Sequence, residues 1–287
     1  MNWLVGGVYP GTGPDRRESG LGIDLEGLFQ VLAPMVDGAA MDDEAVGSAY
    51  RQLMSTLMTF DYVVVFAYRG KERPIDLYST FNAKDHVLFV SLYQAGPYLL
   101  DPFYHAACEG KPGVWRMRER APDRFFSSEY YRTYYVQTGL AEEVGFFVPI
   151  SEQITVVLSL MRREATGSFS AAEFALLKKV EPLVSALVRH HWADLGRRFD
   201  AALAKTGRSR RKSVHPPADG VWQHLNLTER EASIIELVLQ GHSSESIGLK
   251  LGISTGTVKV HRRNVYRKLG ISSQTQLLSL YLRNLGQ

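Results

Sequence analysis

The chain holds one cysteine, Cys108, among 287 residues. That excludes an intrachain disulfide framework and a thiolate metal cluster, and it fits a reducing compartment. Long apolar runs are missing too, since no stretch approaches the ~18 uninterrupted residues that a membrane span needs. Residues 1–13 carry neither a positive n-region nor a small-residue cleavage site, so no secretory leader is expected. The absence of Gly-x-x-x-x-Gly-Lys-Ser/Thr removes P-loop nucleotide hydrolysis. Other catalytic candidates are thin. His190 and His191 are adjacent, so on a helix they point ~100° apart and cannot share a metal. His105 and Cys108 stand at i and i+3, a spacing that a buried thiol beside a histidine explains as well. No catalytic residue, metal or cofactor is expected, and the expected location is the cytoplasm.

What is present is charge of uneven distribution. Residues 1–195 hold 18 Lys+Arg against 24 Asp+Glu, a net of −6, and residues 196–287 hold 15 against 6, a net of +9. An acidic body with a basic tail suits a chain whose C-terminal part meets a polyanion. The alternative is a basic tail that is merely solvated.

The order of patterns predicts four parts. Residues 1–22, rich in Gly and Pro, read as a flexible arm. Residues 23–196 read as an α+β domain, a central antiparallel sheet flanked by helices. Helices are expected at 25–35 and 43–60, and strands at 62–68, 75–81, 143–149 and 154–161. Residues 85–138 should be mostly helical, broken at Gly96-Pro97 and Lys111-Pro112-Gly113. Ser170 and Glu173 form a capping box that opens a long helix, whose apolar stripe through Leu195 could pair with a second copy. Residues 197–224 are polar and basic and read as a linker. Residues 225–287 read as a compact all-helical unit of four helices.

In that last part, Thr228 and Glu231 form a second capping box, Gly241 stops the helix, and Ser243 caps the next. Gly252-Ile253-Ser254 then makes a three-residue turn before a helix with two unlike faces, which is the helix-turn-helix layout. Val258, Val265 and Leu269 should point inward, and Lys259, Arg262, Arg263 and Arg267 outward with Thr257 and His261 near the N-terminal end. Cationic side chains reach guanine edges or phosphates, and Val260 can touch a thymine methyl. Such cations can equally be the solvated face of a surface helix.

Leu227-Thr228-Glu229-Arg230-Glu231, Gln240-Gly241-His242-Ser243, the run from Leu251 to His261, and Arg267-Lys268-Leu269-Gly270 resemble the LuxR-type (GerE-type) helix-turn-helix signature through about sixty residues. The resemblance implies a DNA-binding transcription regulator, with Lys259, Val260 and Arg263 near bases and Thr257 and His261 near the backbone. It also implies a homodimer joined through the closing helix, double-stranded DNA as partner, and contact with RNA polymerase. Gly248 departs from the alanine common in the family, at a cost of ~1 kcal/mol.

Residues 60–147 hold 20 of the chain's 31 aromatics, the makeup of a small-molecule pocket and also of ordinary core. A phosphorelay receiver needs an acidic pair after its first strand, and Asp42-Asp43 have no strand before them. Asp101-Pro102-Phe103-Tyr104, with Trp115 fourteen residues beyond Asp101, and Val144-Gly145-Phe146-Phe147 resemble the autoinducer-binding domain of LuxR quorum-sensing receptors. The likeness implies that Asp101 meets the ligand amide and that Trp115 lines the pocket. Family spacing places an upstream Trp and Tyr at Leu88 and Leu92, so the pair that holds a lactone head is missing. The effector expected is therefore another small molecule, an amine or amide facing Asp101 among Tyr62, Tyr78, Tyr98, Phe103 and Trp115. Asp101 could instead simply cap a helix starting at Pro102.

Overall fold

The computed structural model describes residues 25–37, 41–136, 139–208, 222 and 225–285. The expected N-terminal arm and the centre of the expected linker lie outside them. Two helices, α1 (Leu25–Val36) and α2 (Asp43–Leu57), open the fold, the second capped by the Asp42 carboxylate accepting from the Ala45 amide. Five strands follow: β1 (Tyr62–Arg69), β2 (Ile75–Ser79), β3 (Gly113–Arg116), β4 (Leu140–Pro149) and β5 (Ile154–Arg163). They form one antiparallel sheet in the order β2-β1-β5-β4-β3.

Both faces of this sheet are covered, which is why β1 and β5 are buried in near-continuous, mostly apolar runs rather than alternating. On one face Val63, Val65 and Ala67 of β1 pack with α1, α2 and α6 (Ala171–His191). On the other, Val64, Phe66 and Tyr68 face α3 (Ala83–His86), its π-helical continuation Val87–Leu92, the 3-10 turn Pro97–Leu100 and α4 (Pro102–Cys108). A short α5 (Met117–Arg120), a 3-10 turn (Phe125–Ser127) and a second π-helical turn (Tyr131–Tyr135) complete this layer.

The Ser170–Glu173 capping box forms, and Glu173 also receives Arg162 at 2.5 Å. That guanidinium, nearly buried, donates further to the Thr59 carbonyl and lies over the Phe169 ring. Phe174, Leu177, Val184, Leu187 and Val188 of α6 are buried against the sheet, so the stripe expected to be open to a second copy is used inside the chain.

Two expectations about this region are corrected. β3 forms where helix was expected, because Gly113–Arg116 pairs along β4 and completes the sheet edge. The polar stretch assigned to the linker from residue 197 is helical as far as Arg208, in α7 (Leu195–Arg208). Leu195 and Phe199 are buried, Arg198 pairs with Asp43 at 2.5 Å, and Arg69 pairs with Asp200 at 2.7 Å. Apolar anchors three to four residues apart, with ion pairs beside them, are enough to hold a polar helix on the body.

The C-terminal unit has the four expected helices: α8 (Glu229–Gln240), α9 (Ser244–Leu251), α10 (Thr255–Leu269) and α11 (Gln274–Leu285). Ile234, Ile235, Val238, Ile247, Val258, Val265, Leu277 and Tyr281 are its core, with Trp222 stacked on Tyr281. Thr228 closes its capping box with Glu231, which also takes Lys268 at 2.6 Å. Thr228→Ala is expected to lower stability by ~1 kcal/mol in urea melts of the full chain.

The two units touch. The Arg124 amide donates to the Gly241 carbonyl at 2.9 Å, and the Asp123 carboxylate accepts from the Ser243 amide at 3.0 Å. Leu285 packs over Gly96, where a β-carbon would stand 2.4 Å from it. Asp123 is exposed, so Asp123→Ala should cost under about 1 kcal/mol while speeding amide exchange at Ser243, measured by hydrogen–deuterium exchange.

Candidate functional site

Local chemistry sets α10 at a fixed angle. α9 ends on Gly252 at φ +65, a left-handed position that glycine takes at little steric cost. Ser254 then caps α10 by accepting from the Thr257 amide at 3.0 Å. Gly248 has a packing role, since a β-carbon there would lie 2.7 Å from the Ile253 carbonyl oxygen. The turn thus sits closer to α9 than alanine allows. Arg230 donates to the Leu251 carbonyl, tying α8 to the same turn.

With Val258 and Val265 buried, the opposite side of α10 is turned outward. Thr257, Lys259, Val260, Arg263 and Arg267 are exposed, and His261 and Arg262 are half-buried. Lys259, Arg262, Arg263 and Arg267 border one open concavity with Tyr266. Arg262 also reaches the Ser244 hydroxyl at 3.3 Å. All seven residues expected at a nucleic-acid interface therefore stand on one helix, and Leu269, expected inside, is half-buried.

The second site lies between the sheet and the α3–α4 layer. A cavity of about 60 Å3 has Val64, Phe66, Val157 and Met161 as its floor and Phe81, Leu88 and Phe89 on its roof. Asp101, Glu143, Ser159 and the tyrosines 68, 93, 130 and 135 supply its polar atoms. Asp101 caps α4 by accepting from the Phe103 amide at 2.7 Å and faces the cavity at the same time, accepting from the Tyr93 hydroxyl at 2.8 Å. Tyr93 in turn meets the Tyr68 hydroxyl at 2.9 Å. Burial pushes the Asp101 carboxyl above the ordinary carboxylate range despite the hydrogen bonds from Phe103, Tyr93 and Tyr135 that oppose it. Glu143 is pushed up further, first by burial and then by the Asp101 charge. Burial likewise holds Tyr68, Tyr93 and Tyr135 protonated well beyond the usual phenol range.

Of the residues expected to wall a pocket, Asp101 and Phe103 line this cavity and Tyr62, Tyr78, Tyr98 and Trp115 do not. Tyr78 pairs with Val65 and belongs to the opposite core, filling the space over Gly47. Tyr62 packs on Phe81 at the strand's start, and Tyr98 turns its hydroxyl to the Lys71 carbonyl. Trp115 is on the edge strand under Arg120, whose guanidinium carbon is 5.3 Å from its ring.

Tyr93 and Glu143 were missed for separate reasons. The π-helical turn Val87–Leu92 shifts the helical register, so Tyr93 rather than Leu92 reaches Asp101. Glu143 had a signal in the sequence, as one of two adjacent carboxylates, Glu142 and Glu143, entering the apolar run 144–148.

Residues 225–281 match the family described as bacterial regulatory proteins, luxR family. A putative HTH-type transcriptional regulator of Aeromonas salmonicida is 36% identical over 186 residues, covering 64% of this chain and 94% of that protein. The chain belongs to the LuxR family. The Aeromonas similarity is much longer than the helix-turn-helix match and so extends into the N-terminal body. The monoamine regulon transcriptional regulator of Klebsiella aerogenes is 25% identical over 84% of this chain and 92% of its own length. Among solved structures, the ligand-binding domain of VqsR from Pseudomonas aeruginosa is similar at TM-score 0.48 and 24% identity, over 58% of this chain and 94% of that one. This LuxR-family chain is a DNA-binding transcription regulator and not an enzyme. Among its described residues no helix is long and apolar enough to cross a membrane.

Proposed function

We propose that this regulator reads its operator with α10 and that a small molecule held in the sheet cavity controls it. One observation carries the ligand reading: a cavity with buried carboxylates and hydroxyls lies on the sheet face whose helical layer touches the C-terminal unit. Asp101, which caps α4, directly follows the 3-10 turn Pro97–Leu100, and Leu285 of α11 packs on Gly96 just before that turn. A ligand contact at Asp101 is therefore a few residues from the interdomain seam.

On this reading residues 23–196 extended through α7 form the sensing body, the remaining linker joins it to 225–287, and the protein acts in the cytoplasm as a homodimer on two-fold DNA. Lys259, Val260 and Arg263 approach bases, Thr257, His261, Arg262 and Arg267 serve the backbone, and RNA polymerase is a candidate partner. The effector is not a standard acyl-homoserine lactone, because Leu88 lines the cavity where the family's spacing places a tryptophan and, among the described residues, no indole borders it. The Klebsiella relative is named for a monoamine regulon, and an amine suits the cavity's carboxylates.

A thermal-shift screen of a metabolite library tests the ligand reading, with Ser159→Leu as a cavity-blocked control. A compound at 100 times its Kd should stabilise the parent chain by ~2.7 kcal/mol and leave the blocked variant unmoved. A flat response in both proteins would contradict it.

A further inference from the structure

We propose that the cavity is a cation site, in which Asp101 and Glu143 together clamp the ammonium group of a compact primary amine. The inference rests on the ligand-control reading above and names the ligand's chemical class.

Two carboxylates, each almost wholly withdrawn from solvent, face one aromatic chamber. Among the described residues neither forms an ion pair with Lys, Arg or His, although the other nearly buried carboxylate of the sheet, Glu142, is matched by Arg116 at 2.5 Å. Burying a charge without a partner is costly, and burying two side by side more so. A neutral amide ligand would offer one N–H to Asp101 and leave Glu143 as it is. A primary ammonium carries three donors and a charge, and so can reach both groups at once.

The acceptor capacity is there. Asp101 receives the Phe103 amide on one oxygen and the Tyr93 hydroxyl on the other, and Tyr135 bridges it to Glu143; two carboxylate oxygens carry about four lone pairs, so acceptor room remains. Glu143 has its hydrogen bonds from Ser159 and Tyr135, both hydroxyls on the cavity wall. The rings of Phe66, Tyr68, Tyr93 and Phe103 add π faces that attract a cation and repel an anion. At neutral pH Asp101, raised to about 6, is largely ionised, and Glu143, raised to about 8, holds a proton that an arriving ammonium displaces, so one positive charge takes the place of another between the two carboxylates. The volume, about 60 Å3, is several times the ~10–15 Å3 that one water needs, so a short alkyl or aryl amine fits.

The test is calorimetric titration of the full chain with primary amines from ethylamine to 2-phenylethylamine, each beside its matched alcohol and with hexanoyl-homoserine lactone as a neutral control. At least one amine should bind more than 100-fold tighter than its alcohol. Glu143→Gln, which keeps shape, should weaken that amine at least tenfold, as should Asp101→Asn, which keeps the α4 cap. Thermal melts establish that both variants are folded. An alcohol or the lactone binding as tightly as any amine would overturn the cation site while leaving a ligand pocket standing. An amine whose affinity survives Glu143→Gln would overturn the clamp. If nothing in the series binds, the cation site falls, and the metabolite screen with its Ser159→Leu control decides separately whether any ligand is sensed.

Discussion

Glu143→Gln is expected to stabilise the ligand-free protein by about 3 kcal/mol at pH 8 and to change little at pH 4. The carboxyl of Glu143 is raised in the folded chain, so the folded state holds a proton that the unfolded state has released once pH exceeds the ordinary value near 4. Stability must fall as pH climbs from that value until the folded group also ionises. Asp101 adds a smaller slope of the same sign. Glu173 acts in the opposite sense. Arg162 holds its carboxyl down at about 2, so its contribution is present above the ordinary carboxylate range and lost as pH falls toward 2. Urea melts of the ligand-free chain should therefore show greatest stability in mild acid. The glutamine variant should lose most of the decline toward pH 8, and an unchanged decline would mean that Glu143 is solvated or paired.

Arg263→Ala should remove base discrimination at one operator position, costing ~1–3 kcal/mol on the preferred base and little on the others. Arg263 is exposed on the outward side of α10, in the same open concavity as Lys259 and Arg267, so truncation should leave the fold intact. Replacing Arg210, Arg211 and Lys212 with serine should act differently. Affinity should drop for every sequence alike, and the slope of log K against log salt should shrink by up to ~0.9 for each phosphate no longer neutralised. Competition binding on a randomised operator at two salt concentrations separates these outcomes. Full discrimination by the Arg263 variant would remove α10 from base reading.

The DNA-binding unit was legible because its signals are local. Thr228, Ser243 and Ser254 cap, Gly241 and Gly252 stop, and each decides a helix end within four residues. The N-terminal body depends on contacts distant in sequence. Which face Tyr78 takes follows from its register with Val65, and periodicity within β2 cannot supply that. β3 exists because β4 offers it a partner. α7 looked like linker since its anchors, Asp43 and Arg69, lie over a hundred residues away. Asp101 was legible in both its readings at once, as helix cap and as cavity wall, and the structure joins the two. Tyr93 was displaced from the expected position by one residue of π-helix, a local irregularity that spacing alone does not reveal.

The most direct test of ligand control is fluorescence anisotropy of the full chain on an operator it has selected from random DNA, with and without a cavity ligand saturating by calorimetry. Coupling between sites typically amounts to ~1–3 kcal/mol, so the ligand should change the operator Kd by about 5- to 150-fold in the parent chain. The change should vanish in the Asp101→Asn, Glu143→Gln double variant. An operator Kd that stays the same while the cavity is demonstrably full would contradict control through this site.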